Sequence, residues 1–294
     1  VKRRAGGCAA AVLVLAIAAA VVLVAPEGTP TPERAWGLES SSGRGSFEKD
    51  GVVYRHVRQG YGPPRAGPPV VLLHGFASSM YTWKDVIPPL ARSHLVMAFD
   101  FPGFGGSTIP RPLEPARFPG DVLAAMDAVG IERATLVGNS MGGAVAIAVA
   151  AEHPERVERL VLIDSAGFNY ADADRPWLLR AMASPSAAAI VERLPVKRRM
   201  VALGLRQVFF HDRLVTEERI DAYAFPLMRP GAVGAAAELL AARPPAAIEE
   251  QLRRVRVPTL IIWGREDRWI PVSHAQRFAD AIPGSRVEIL EQCG

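Results

Sequence analysis

Gly138-Asn139-Ser140-Met141-Gly142-Gly143 sets a serine between two glycines at the spacing G-x-S-x-G. Before it, Arg133-Ala134-Thr135-Leu136-Val137 is a short run rich in strand formers, and after it Ala144 to Ala151 is alanine-rich and favours helix. The expected local structure is a strand, a sharp turn and a helix, with Ser140 at the tip. So tight a turn forces the serine into a strained backbone conformation. Side chains at Gly138 and Gly142 would collide with each other or with the neighbouring strand. The helix opening after Ser140 points its free N–H groups and positive end at the turn, which favours negative charge there. The chemistry this suits is attack by the Ser140 hydroxyl on a carbonyl, with the Met141 N–H as oxyanion donor.

A second stretch of chemical interest is His74-Gly75-Phe76, directly after the continuous apolar run Val70-Val71-Leu72-Leu73. Gly75 lets the backbone approach another segment closely, and the Phe76 N–H is a candidate second oxyanion donor. His74 has two readings, a base or, the favoured one, an imidazole that holds the loop by hydrogen bonds.

These residues need a scaffold, and the apolar runs supply one. Val70–Leu73, Leu95–Phe99, Leu160–Ile163, Pro258–Trp263 and Arg286–Leu290 read as strands, the first ones buried on both faces. Helical stretches between them indicate a mostly parallel sheet covered on both sides. Ser46–Lys49 and Val52–Val57 flank Asp50-Gly51, a hairpin signature. Met80–Ala91 is expected to be mostly helix, kinked or restarted near its end by Pro88-Pro89, and Asp121–Val129 a helix with Asp121 and Asp127 on its solvated face. Gly103-x-Gly105 does not continue as a dinucleotide-binding pattern. From 168 to 254 no long apolar strand occurs, and alanine, leucine and arginine dominate. That stretch reads as a helical cap inserted between two parts of the core, 46–167 and 255–294, roofing the site.

The chain has 294 residues, nearly half of them hydrophobic, and a formal net charge of +4. Its basic residues are scattered and form no aromatic-and-basic stripe, so nucleic acid is not an expected partner. Cys8 and Cys293 lie near opposite ends with no metal-ligand partner at usable spacing, and nothing calls for a metal or an organic cofactor. Lys2-Arg3-Arg4 precede an uncharged run from Ala5 to Ala25, about 20 residues and long enough for a transmembrane helix. Residues 1–25 are therefore expected to anchor the catalytic domain outside the cytoplasm, a cleaved signal peptide being the alternative. Residues 26–45, rich in Pro, Ser and Gly, read as a linker.

Together the pieces resemble the α/β-hydrolase superfamily. The resemblance covers residues 46–294. It rests on His74-Gly75-Phe76, Asp100-x-Pro102-Gly103-x-Gly105-x-Ser107, the Gly138–Gly143 stretch and Gly264-x-x-Asp267-x-x-x-Pro271. It implies an α/β fold with Ser140 as nucleophile, Asp267 as the acid that orients a histidine, and Phe76 and Met141 as oxyanion donors. His74, Gly75, Gly138, Asn139 and Gly142 support them. Asp164, at another strand end, is the alternative acid. In this family the base histidine follows the last strand in a Cys-Gly-His or Gly-His context. Here the sequence reaches Gln292-Cys293-Gly294, and the residue expected next is that histidine. The main functional expectation is hydrolysis of a small-molecule carboxylic or lipid ester through an acyl-enzyme. C–C bond hydrolysis of ring-cleavage products is one alternative, a non-catalytic binding protein another.

Overall fold

The computed structural model describes residues 43–61, 67–168, 179, 182–242 and 248–294. β1 (Gly43–Lys49) and β2 (Val52–Gln59) form an antiparallel hairpin. Asp50 and Gly51 turn it with φ of 52° and 73°, the two positive values that a tight two-residue loop requires. Six further strands complete the sheet: β3 (Gly67–Leu73), β4 (His94–Phe99), β5 (Ala134–Asn139), β6 (Val157–Ile163), β7 (Thr259–Gly264) and β8 (Arg286–Leu290). The spatial order is β1-β2-β4-β3-β5-β6-β7-β8, antiparallel at the β1-β2 and β2-β4 joins and parallel across the rest.

Helices lie between the strands: α1 (Ile87–Leu90), α2 (Phe118–Ala128), α3 (Met141–Glu152) and, after β7, α9 (Ser273–Ala281). α3 starts at the elbow and is buried along most of its length, from Gly142 to Ala151. Its small side chains suit a helix pressed between the sheet and a neighbour, where bulk would force the layers apart. Between β6 and β7 the described residues form helices and no strand: α4 (Pro185–Arg193), α5 (Lys197–Val208), α6 (Glu217–Met228), α7 (Ala232–Ala241) and α8 (Ile248–Arg254). Arg229, just past α6, ties them to the core. Its Nη1 donates to Gly105 O and Ser107 O, both at 2.7 Å.

Several expectations change. No described helix is long and apolar enough to cross a membrane. The expected anchor, 1–25, and most of the linker lie outside the described residues, so the expected placement on a membrane outside the cytoplasm is withdrawn. The linker also ends sooner than residue 45, because Gly43, Arg44 and Gly45 pair with Arg58, Val57 and His56. Met80–Ala91 restarts at the proline pair as expected, but holds less α-helix than its spacing suggests. It is a 3₁₀ turn over Met80–Trp83 and the single turn α1, separated near the Pro88-Pro89 pair that cannot continue an upstream ladder. Asp121 is not solvated: at 1% exposure it accepts the Tyr54 hydroxyl at 2.6 Å and pairs with Arg117 at 3.0 Å. Asp127 is exposed and pairs with Arg156.

Arg229 satisfies two loop carbonyls that no other described side chain reaches. Arg229→Met is expected to lower the unfolding free energy by about 2–4 kcal/mol, since both carbonyls would lose a charged donor. Urea denaturation followed by tryptophan fluorescence measures this.

Candidate active site

Ser140 sits at φ 51° and ψ −117°, a conformation an L-residue holds only under constraint. Two hydrogen bonds impose it. The Ser140 N–H donates to Ile163 O at 3.0 Å, and the Ser140 carbonyl accepts from the Ala166 N–H at 3.0 Å. The glycines allow the crossing: a Cβ on Gly138 would fall on the backbone of Gly142, and one on Gly142 would fall on the carbonyls of Leu73 and His74.

The loop after β3 crosses the same point from the other side. A Cβ on Gly75 would stand 3.0 Å from Asn139 Oδ1 and 3.3 Å from Ser140 Cβ, so the loop presses against the serine. His74, fully buried, lies beneath it. Its Nε2 accepts from the Phe101 N–H at 3.0 Å, which puts the ring proton on Nδ1, and Nδ1 donates to Gly75 O at 2.7 Å. In a trans peptide the carbonyl and the next N–H point opposite ways, so this bond turns the Phe76 N–H away from His74. Burial pushes the His74 pKa down to about 4. A neutral ring satisfies both contacts, which is the loop-holding role.

Neither the Phe76 nor the Met141 N–H donates to another described residue. Both residues line one cavity with Ser140, as do Gly75 and Asn139. Asn139 Nδ2 donates to Ile163 O at 3.2 Å. His74, Gly138 and Gly142 are not on the cavity wall; they shape the turn and loop from behind.

Asp267 lines the cavity too. Its Oδ1 accepts from the Trp269 N–H at 2.7 Å and the Ile270 N–H at 2.9 Å, which fixes the carboxyl. Its Oδ2 accepts from no described residue. Burial raises its pKa above the ordinary carboxylate value against those two bonds. Asp164, at the end of β6, reaches over to accept the Gly264 N–H at 2.8 Å. Burial, and secondarily the nearby Asp267, push its pKa up to about 7. None of the chain's six histidines is on the cavity wall. Gly294 is, and a Cβ on it would stand 3.3 Å from the Asp267 amide nitrogen. Among the described residues no group of three or more His, Cys, Asp or Glu could hold a metal ion.

A strained serine that shares one cavity with two amides no described residue engages, and with a fixed carboxylate, suits attack on a carbonyl. A family model for the alpha/beta hydrolase fold matches residues 68–294. The chain belongs to the α/β-hydrolase family. A 2-hydroxymuconate semialdehyde hydrolase of Pseudomonas sp. (strain CF600) is 33% identical over 261 residues, covering 83% of this chain and 86% of the relative. The structure of a meta-cleavage product hydrolase from Pseudomonas fluorescens IP01 superposes with a TM-score of 0.67 at 28% identity, covering 85% of this chain and 90% of that one. A bacterial membrane phospholipase A superposes with a TM-score of 0.69 at 27% identity, covering 98% and 88%.

Asp100 has a part in this α/β-hydrolase site that sequence reading alone does not assign. Fully buried, it accepts from the Met80 N–H and the Gly106 N–H, each at 2.7 Å, and so fastens the loops on either side of β4. Its place at the head of Asp100-x-Pro102-Gly103 is the available signal.

His74 generates a pH test. Its pKa is about 4 folded against an ordinary value near 6.5, so the unfolded chain takes up the proton first as pH falls. The stability contributed by the neutral ring is full above about pH 6.5 and declines toward pH 4. Relative to His74→Gln, the parent is expected to lose about 3 kcal/mol of unfolding free energy between pH 7 and pH 4, measured by urea titration at each pH.

Proposed function

We propose that this protein is a serine hydrolase that cleaves a C–C bond beside a ketone, on a substrate of the meta-cleavage kind. Supporting this choice of reaction are the 2-hydroxymuconate semialdehyde hydrolase and the meta-cleavage product hydrolase among its relatives. The observation that carries the mechanism is the convergence of Ser140, Asp267 and two amides that no described residue engages, those of Phe76 and Met141, on one cavity. Ser140 Oγ attacks the carbonyl carbon while a base takes its proton. The oxyanion is held by the Phe76 and Met141 N–H groups, each worth about 3 kcal/mol in such a role. The bond to the departing carbon then breaks, and that carbon takes the proton. Water releases the acyl group. The resemblance implies a histidine base oriented by Asp267, whose Oδ2 accepts from no described residue.

A second reading, hydrolysis of a carboxylic or lipid ester, is favoured by the cavity wall. A dienoate carries a carboxylate that a cation would recognise. The lining cations already face carboxylates: Lys84 with Glu218 at 2.8 Å, Lys197 with Glu192 at 3.2 Å and Arg219 with Asp85 at 3.6 Å. Most of the remaining wall is aliphatic and aromatic, and the membrane phospholipase A is a structural relative.

The protein, given a vinylogous diketone and a simple aryl ester in parallel, tests both. Turnover of the diketone alone supports the first reading and turnover of the ester alone the second. Ser140→Ala is expected to reduce either rate by about 10⁴-fold or more. An unchanged rate removes Ser140 as nucleophile.

A further inference from the structure

The seam between the 3₁₀ turn over Met80–Trp83 and helix α6 carries a line of three hydroxyls. Ser78 Oγ lies 2.6 Å from Thr82 Oγ1, and Thr82 Oγ1 lies 3.3 Å from the Tyr223 hydroxyl. All three residues line the cavity that holds Ser140. Ser78 belongs to the loop that presses on the nucleophile, where a Cβ on Gly75 would stand 3.3 Å from Ser140 Cβ. From Gly75 to Ser78 the chain runs three residues, at most about 11 Å. Tyr223 reaches the line from the cap. Its ring meets the Tyr81 ring edge-on, 5.8 Å between centroids, a contact that fixes its tilt.

Three hydroxyls in a line make two hydrogen bonds and leave one proton over. The burial of Ser78 decides which end keeps it. Ser78 is 5% exposed, and among the described residues its hydroxyl meets only Thr82. If Ser78 merely accepted, its own proton would be buried with nothing to bond, which is costly. Ser78 therefore donates to Thr82 and Thr82 donates to Tyr223. The Tyr223 O–H is left for whatever occupies the cavity. The other polar groups of the seam are matched already. The Tyr81 hydroxyl donates to Glu218 at 3.2 Å, Lys84 pairs with Glu218 at 2.8 Å, and Arg219 pairs with Asp85 at 3.6 Å. Two cations and two carboxylates leave the seam without net charge, so the acceptor it suits is a neutral carbonyl oxygen.

We propose that Tyr223, oriented by Ser78 and Thr82, is a specificity-determining residue that donates to a second carbonyl oxygen of the substrate, not the one at the carbon Ser140 attacks. This rests on the serine-hydrolase reading and deepens it, because it gives that site a preference for a diketone over a substrate with a single carbonyl. A vinylogous diketone carries such an oxygen several bonds from the attacked carbon, and a simple ester does not. The contact lies away from the reacting atoms and is made equally in the ground state and the transition state. It therefore lowers KM and leaves kcat unchanged.

The test reads equilibrium binding to Ser140→Ala by calorimetry, so it needs no turnover. Two uncharged ligands are compared, an aryl vinylogous diketone and the matched enone that lacks the distal carbonyl. The diketone is expected to bind about 3- to 10-fold more tightly, the range of one hydrogen bond. Adding Tyr223→Phe, which keeps the ring, is expected to bring that ratio below about 2-fold. A residue that only latched the cap to the core would weaken both ligands alike and leave the ratio in place. The assignment is overturned if the ratio survives Tyr223→Phe, or if Ser140→Ala binds neither ligand or both equally. Should Tyr223→Phe fail to fold by circular dichroism, Thr82→Val decides, since it removes the bond that orients the phenol. A ratio cut by about twofold or more then supports the assignment, and an unchanged one overturns it. Turnover that depends on Ser140, with no preference for the diketone in binding, overturns the Tyr223 assignment alone. Turnover indifferent to Ser140, with the preference present, overturns the serine-hydrolase reading while the Tyr223 contact stands.

Discussion

The site depends on one strained residue. A serine at φ 51° relaxes unless something holds it, and here two backbone hydrogen bonds from the β6 side hold it. Those bonds exist because β5 and β6 run parallel in a register that sets Asn139 opposite Ile163. The register in turn allows the turn to sit against β3 only if Gly142 carries no side chain. Strand pairing, glycine and strain are thus one constraint. Its product is a hydroxyl lifted above the sheet edge, with the first amide of a long buried helix beside it.

The Phe76 N–H, the candidate second oxyanion donor, is held by different physics. Its loop has no regular secondary structure to satisfy its backbone, so buried side chains do so. His74 takes Gly75 O and Phe101 N, while Asp100 takes Met80 N and Gly106 N. Burial makes both side chains resist charging. The His74 ring is kept neutral, and burial pushes the Asp100 pKa up to about 6, with Arg229 nearby opposing that shift. Arg229 belongs to the cap, so the same cation that steadies the loop carbonyls also fastens the roof. Looseness in the cap would reach the oxyanion loop through this residue.

This division decides what the residues alone disclose. Features set by local sequence are legible: the strand-turn-helix around Ser140, the Asp50-Gly51 hairpin, the parallel rhythm, and the break into helices after β6. Features set by distant partners are not. Asp121 sits on a helix pattern that reads as solvated, because its partner Tyr54 lies 67 residues away on β2. The segment after Ser79 has helical apolar spacing, yet Met80 N–H is claimed by Asp100, and the Pro88-Pro89 pair restricts the helix to the single turn α1. Gly43–Gly45 looks like linker by composition and becomes strand by pairing with β2. In each case a contact remote in sequence outweighs a local preference of a few tenths of a kcal/mol per residue.

Relatives of one architecture include both C–C bond hydrolases and a phospholipase for a related reason. Attack on a ketone and attack on an ester create the same oxyanion at the same place, so the elbow and the His74 loop serve either without change. The two reactions differ in the group that leaves and the chain attached to the carbonyl. Those meet the cavity wall, much of which belongs to the cap, in α5, α6 and α7. At about 1230 Å³ the cavity exceeds the roughly 300–1,000 Å³ usual for small-ligand sites, so the surroundings of Ser140 alone do not select a substrate. Selection falls to apolar residues such as Met200, Val201 and Leu205 on one wall and Tyr81 with Tyr223 on another. Met200, Val201, Leu205 and Tyr223 lie outside the strands and turn that clamp Ser140, so specificity can vary at these positions apart from the chemistry.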